Sequence, residues 1–218
     1  EQEHRSQDSV VTQALIVNGQ PRYGRFEQIP GQINWQDFAA QTPFGQPVTG
    51  LRKRLGFKHF MFIGLTGPDA MIGVALADLA WGQHAFFYIK PHAQAEGEEV
   101  SLTLRTGLQR IGMGLQAQLL EAAHWKGLGL EVRLSAAHAA VRTLEVLQKG
   151  QLRLQVSLQI GQVQPLSLCS PTGATGWTYT QKYATVPVSG FWVDGQGQRH
   201  ALGPDWLGST DASRGPLR

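Results

Sequence analysis

Residues 152–160 read Leu-Arg-Leu-Gln-Val-Ser-Leu-Gln-Ile, an apolar side chain at every second position with Arg153, Gln155, Ser157 and Gln159 between. Side chains on a strand alternate between faces, so strict period two predicts one buried and one wetted face. Shorter segments of the same kind recur at Val100 to Arg105, Leu130 to Leu134 and Thr143 to Leu147, each bounded by glycine or charge. Sequential short strands at this spacing predict an all-β fold, an antiparallel barrel or a strongly curved sandwich.

Upstream, Phe57 to Thr66 and Ala70 to Leu79 are apolar, rich in aromatic and β-branched residues, and joined by Gly67-Pro68-Asp69, which predicts a hairpin. Ala85 to Lys90 is expected as a third strand. On the first strand Phe57, His59, Met61, Ile63 and Leu65 share one face, and Lys58, Phe60, Phe62, Gly64 and Thr66 the other. Both faces are partly apolar, as in a strand with a core on one side and a second layer or lipophilic cavity on the other. A helix over Leu115 to Trp125 is a weaker expectation, because no N-cap precedes it. Pro43, Gly45, Pro47 and Gly50 mark a surface loop or strap before the first hairpin.

Composition agrees with a turn-rich β protein. Charged residues make up 16% of the 218, against about 25% in ordinary globular proteins, and 26 are glycine. The net charge of +3 has a visible cluster only at Arg52, Lys53, Arg54 and Lys58, too short a stripe to predict nucleic-acid binding. Such residues beside a hydrophobic strand are expected to act as solubilising gatekeepers. The single cysteine, Cys169, excludes an internal disulfide and is expected to be a small buried apolar residue. No apolar run reaches the roughly 20 uninterrupted residues of a membrane helix, and no charged-then-apolar leader is visible, so a soluble cytoplasmic protein is expected.

Gly112 to Ala117 matches the Gly-x-Gly-x-x-Ala dinucleotide pattern, but Leu108 to Ile111 is a poor strand to precede it, and the glycines are read as turn residues. The seven histidines show no i, i+4 spacing for a helical metal site, so neither metal nor cofactor is predicted. There is no Gly-x-Ser-x-Gly elbow and no Walker loop, which argues against those hydrolases and nucleotide-dependent enzymes. Proton-transfer chemistry needs only one or two positioned groups. The candidates are His59, on the apolar face of its strand, Lys182, and the pair Asp211 and Arg214, close enough for a local turn to join them, with Gly215 following. The alternative for Asp211 and Arg214 is a structural staple. Asp78 is expected at a turn, and Trp81, Trp177, Trp192 and Trp206 in the core or at a barrel rim.

Two stretches carry a resemblance. They are RKRLGFKHFMFIGLTGPDAMIGVALADLAWGQHAFFYI at Arg52 to Ile89, and GWTYTQKYATVPVSGFWVDGQGQRHALGPDWLGSTDASRG at Gly176 to Gly215, which places Lys182, Asp211 and Arg214 among strand-like residues. The chain resembles the bacterial domain-of-unknown-function 2804 family, departing from it at Leu55 and Gly56, where an aromatic residue is frequent. That family in turn looks like the lipocalin-like carotenoid hydratase, tocopherol cyclase and Diels-Alderase proteins, built from two β-barrel halves. Residues 1–9, polar and without periodicity, are expected as a disordered lead-in to a barrel-like domain at 10–170. A break is expected at Ser170 to Gly176, after which the resemblance implies the truncated start of a second β element at 171–218. It also implies a hydrophobic small molecule as ligand. On this reading the protein binds such a molecule in a barrel cavity and isomerises, hydrates or cyclises it with Asp211, Arg214, Lys182 and His59 as polar groups. The alternatives are a non-catalytic carrier and an interaction scaffold with no cavity.

Overall fold

A computed structural model describes residues 14–105 and 118–216. The strands are β1 (Ile16–Val17), β2 (Gln20–Pro21), β3 (Gly24–Phe26), β4 (Lys58–Thr66), β5 (Ala70–Asp78), β6 (Gly82–Pro91), β7 (Glu98–Arg105), β8 (Ala123–Gly127), β9 (Leu130–His138), β10 (Val141–Gln148), β11 (Gln151–Leu158), β12 (Leu166–Thr172), β13 (Gly176–Val193), β14 (Arg199–Leu202) and β15 (Leu207–Gly215). A short helix, α1 (Gly50–Gly56), precedes β4. The antiparallel barrel-like fold expected from period two is therefore present, and the expected hairpin and third strand are β4, β5 and β6. The helix expected over Leu115 to Trp125 is replaced at its described end by β8, where Ala123 and Trp125 face inward and His124 and Lys126 outward. The Gly112 to Ala117 pattern lies outside the described residues.

Thirteen of these strands form one sheet whose main path is β7-β6-β5-β4-β15-β13-β11-β10-β9-β8. Its spine is the 18-residue β13. Along one edge of β13, β12 pairs with its first half, from Thr172↔Gly176 to Leu166↔Lys182, and β11 with its second, from Leu158↔Val188 to Leu154↔Trp192. Along the other edge run β15, from Tyr179↔Arg214 to Pro187↔Leu207, and then β14, from Gly190↔Leu202 to Val193↔Arg199. Between Tyr183 and Val186 the register shifts and Thr185 takes φ 54°, the signature of a bulge that bends the strand. The bulge also exchanges faces: Trp177, Tyr179, Gln181 and Tyr183 are buried before it, Val186 and Trp192 after it. The division expected near residue 170 is only the turn at 173–175 between β12 and β13, and β13 and β15 lie between β4 and β11 in the middle of the sheet.

At the two ends of the path, β7 and β8 approach each other. Gly127 makes this possible, because a Cβ there would stand 2.4 Å from Leu104 Cδ1. Glu98 of β7 also reaches Arg153 of β11 at 2.8 Å. Tight hairpins join several of the strands. Asn18-Gly19, Leu128-Gly129 and Lys149-Gly150 all have positive φ at both residues, the two-residue turn whose twist matches that of its strands.

The core fills the inside of this wall. His59, Met61, Ile63 and Leu65 point inward from β4, as their shared face predicts, and Ile72, Val74 and Leu76 join them from β5. They pack towards Val132, Leu134 and Leu144, leaving a gap of about 10 Å³. That is about one water's worth of space, so this part of the interior is a packed core. The outer face of β4 to β6 carries Phe60, Phe62, Phe86 and Tyr88, which are partly exposed. Cys169, Trp177, Trp192 and Trp206 are buried as expected, whereas Trp81 is 64% exposed, on the turn between β5 and β6.

Candidate functional site

One row of residues crosses the inner wall from strand to strand. The register runs Tyr179↔Arg214, Arg214↔His59, His59↔Asp78 and Asp78↔Gln83, through β13, β15, β4, β5 and β6. Cross-strand partners share a face, so this row puts polar groups at one end of the barrel interior. Arg214 Nη2 donates to Glu121 Oε2 at 3.0 Å, across 93 residues of sequence. Two residues further along β13, Gln181 Oε1 accepts from the Leu119 backbone N–H at 2.9 Å, and beyond it Gln118 Nε2 donates to the Tyr183 hydroxyl at 2.9 Å.

The electrostatics of this row follow from burial. His59 is 3% exposed, and desolvation, reinforced by the Arg214 charge, pushes its imidazole down to about 3. It is therefore neutral at pH 7. Burial likewise pushes the Tyr179 hydroxyl up to about 12. Both ring nitrogens of His59, Gln83 Oε1, Glu121 Oε1 and Gln181 Nε2 have no hydrogen-bond partner among the described residues. Each such group costs about 1–3 kcal/mol. All of these atoms are enclosed, so a substrate has no open approach to them in this structure.

Of the four residues singled out in the sequence, the fold brings together two pairs. His59 and Arg214 are register partners inside the barrel. Lys182 and Asp211 are register partners outside it, with Nζ donating to Oδ2 at 2.6 Å and both side chains substantially exposed. The local turn that would join Asp211 to Arg214 does not form, because both lie within β15 and a separation of three along a strand places side chains on opposite faces. Gly215 serves a close approach between strands: a Cβ there would stand 2.2 Å from the Trp177 carbonyl oxygen. Asp78 caps its turn, Oδ1 accepting from Ala80 N–H at 2.9 Å. The Cys169 thiol is pushed up to about 12 by burial, which keeps it from being a thiolate nucleophile.

An open cleft of about 220 Å³ lies just beyond the polar row. The strap expected around Pro43 and Pro47 forms part of its wall, together with α1 and the start of β13. Its aromatic walls are Trp35, Phe38, Phe57 and Trp177. Trp35 stacks on Phe57 at 4.8 Å, and Trp177 meets Phe38 edge-on at 5.9 Å and Phe57 at 6.2 Å. Phe57 precedes His59 by two residues, and Trp177 precedes Tyr179 by two. One aromatic layer thus separates the open cleft from the enclosed polar row. Arg52 and Lys53 of α1 also line the cleft, and no acidic residue does among the described residues. Lys53 Nζ donates to the Gln36 carbonyl, while Arg52 makes no hydrogen bond or ion pair among the described residues. Sequence reasoning misses this site, because its aromatic residues come from three separated segments and a basic cluster beside a strand reads as a solubilising feature.

The chain belongs to the family described as Domain of unknown function (DUF2804), which matches residues 18–218. None of the curated proteins matches it. Among solved structures it is similar to a Nitrosomonas europaea protein assigned as AttH, at 12% identity and a TM-score of 0.46, over 73% of this chain and 50% of that one. The chain spans about half the length of that protein. Among the described residues, no helix is long and apolar enough to cross a membrane.

Proposed function

We propose that this protein is a binding module for a hydrophobic small molecule, held in the aromatic cleft outside the barrel. The observation that carries the reading is the cleft itself, about 220 Å³ of open space with four aromatic side chains in its walls. That is slightly below the roughly 300–1,000 Å³ of sites for drug-sized ligands, which suits a compact ligand of two or three rings. The filled region of the barrel between Met61 and Leu134 argues against a long lipid threaded through the interior. Room and acid–base chemistry are separated in this molecule, which favours a carrier over an isomerase, hydratase or cyclase.

Native mass spectrometry with the neutral probe N-phenyl-1-naphthylamine tests the reading. Gly56 lines the cleft and has open space where a Cβ would stand, so Gly56→Leu should narrow the cleft without disturbing the fold. The expected result is one probe per wild-type chain and none on the variant, with nearly equal melting temperatures. Equal probe binding to both chains would overturn the assignment.

A further inference from the structure

We infer that the cleft selects a planar apolar anion, such as an aromatic carboxylate or sulfonate; this rests on the cleft being the binding site. The described residues lining it supply two cations, Arg52 and Lys53, and no carboxylate. Lys53 commits one of its three N–H donors to the Gln36 carbonyl and is half-buried against the wall, whereas the Arg52 guanidinium is exposed at the rim with its planar fork of donors uncommitted among the described residues. Arginine presents a planar fork of N–H donors that matches a carboxylate or sulfonate and also stacks on aromatic faces. The indole N–H of Trp177 is enclosed, so charge recognition falls to α1 at the rim. The aromatic walls hold the flat apolar body while Arg52 holds the anionic group, an arrangement that accepts an anion and leaves a neutral analogue without its polar contact.

Two matched probes separate these contributions. 8-Anilinonaphthalene-1-sulfonate is N-phenyl-1-naphthylamine with a sulfonate added, so the ratio of their affinities isolates the anionic group. The ratio is measured by fluorescence titration at low salt for wild type, Arg52→Ala and Gly56→Leu. Arg52→Ala should lower the preference for the anion by roughly threefold to fivefold, the range of an exposed charge contact, and added salt should lower the wild-type preference in the same direction. Gly56→Leu should weaken both probes. An unchanged ratio in Arg52→Ala, with both probes still sensitive to Gly56→Leu, would overturn the anion inference and leave the cleft as a binding site. Insensitivity of both probes to Gly56→Leu would overturn the cleft assignment and this inference with it.

Discussion

The enclosed polar row and the open aromatic cleft lie one layer apart and divide between them what an enzyme site would combine. The row has a neutral histidine, an ion pair between the enclosed Arg214 and the largely buried Glu121, and orphaned polar atoms that are themselves enclosed. The cleft has space, aromatic walls and a rim of cations, but among its described lining residues no carboxylate or histidine to move a proton. Convergent polar groups in a protein interior therefore do not by themselves make a catalytic site. Access has to be present at the same atoms.

The largest expected effect lies in the row. Arg214→Met leaves Glu121 without its ion-pair partner in a largely buried setting, and should cost about 3 kcal/mol or more in a denaturant titration. The double variant Arg214→Met/Glu121→Leu should recover much of that loss. A small effect of Arg214→Met would show that the row is wetter than its burial indicates, and would erase the contrast with the cleft.

His59 gives the next effect, and its sign is fixed by burial. Its folded-state value, about 3, lies below the ordinary value of 6.5, so between these limits the unfolded chain binds more protons than the folded one. Stability should therefore rise with pH from about 3 to about 6.5 and level off above. The slope should approach about 1.4 kcal/mol per pH unit for one proton. His59→Phe should remove that component of the pH dependence, and near pH 7 it should be tolerated because the imidazole nitrogens have no described partner. A wild type and variant with parallel pH profiles would show that His59 titrates freely.

The smallest effect belongs to the outer face of the same strands. Lys182→Ala breaks an ion pair with Asp211 whose side chains are 48% and 35% exposed, and should cost about 0–1 kcal/mol, less in high salt. Probe binding in the cleft should not change. A loss of binding in Lys182→Ala would draw the outer pair into the site.

Much of the wall is legible from local pattern. Period two locates β11, and the two-faced strand at Lys58 to Thr66 puts His59, Met61, Ile63 and Leu65 on the correct shared face. The rest depends on register. No local rule announces the bulge at Thr185 that exchanges the faces of β13, nor the ion pair between Glu121 and Arg214. Asp211 and Arg214 suggest a shared turn by their spacing alone, yet β15 continues through both as a strand and turns them apart. The cleft is illegible for a similar reason: Trp35, Phe57 and Trp177 meet only after the short turn at Trp35–Asp37, the junction between α1 and β4, and the start of β13 are brought together.

The most direct test of ligand placement is a ¹H–¹⁵N correlation spectrum of the indole N–H region, recorded with and without N-phenyl-1-naphthylamine. The chain has six tryptophans, each a separate reporter. Trp35 and Trp177 line the cleft, whereas Trp125 is buried in the core. Binding in the cleft predicts shifts at Trp35 and Trp177 with Trp125 unmoved. A shift at Trp125 with Trp35 and Trp177 unmoved would place the ligand inside the barrel and contradict binding in the cleft.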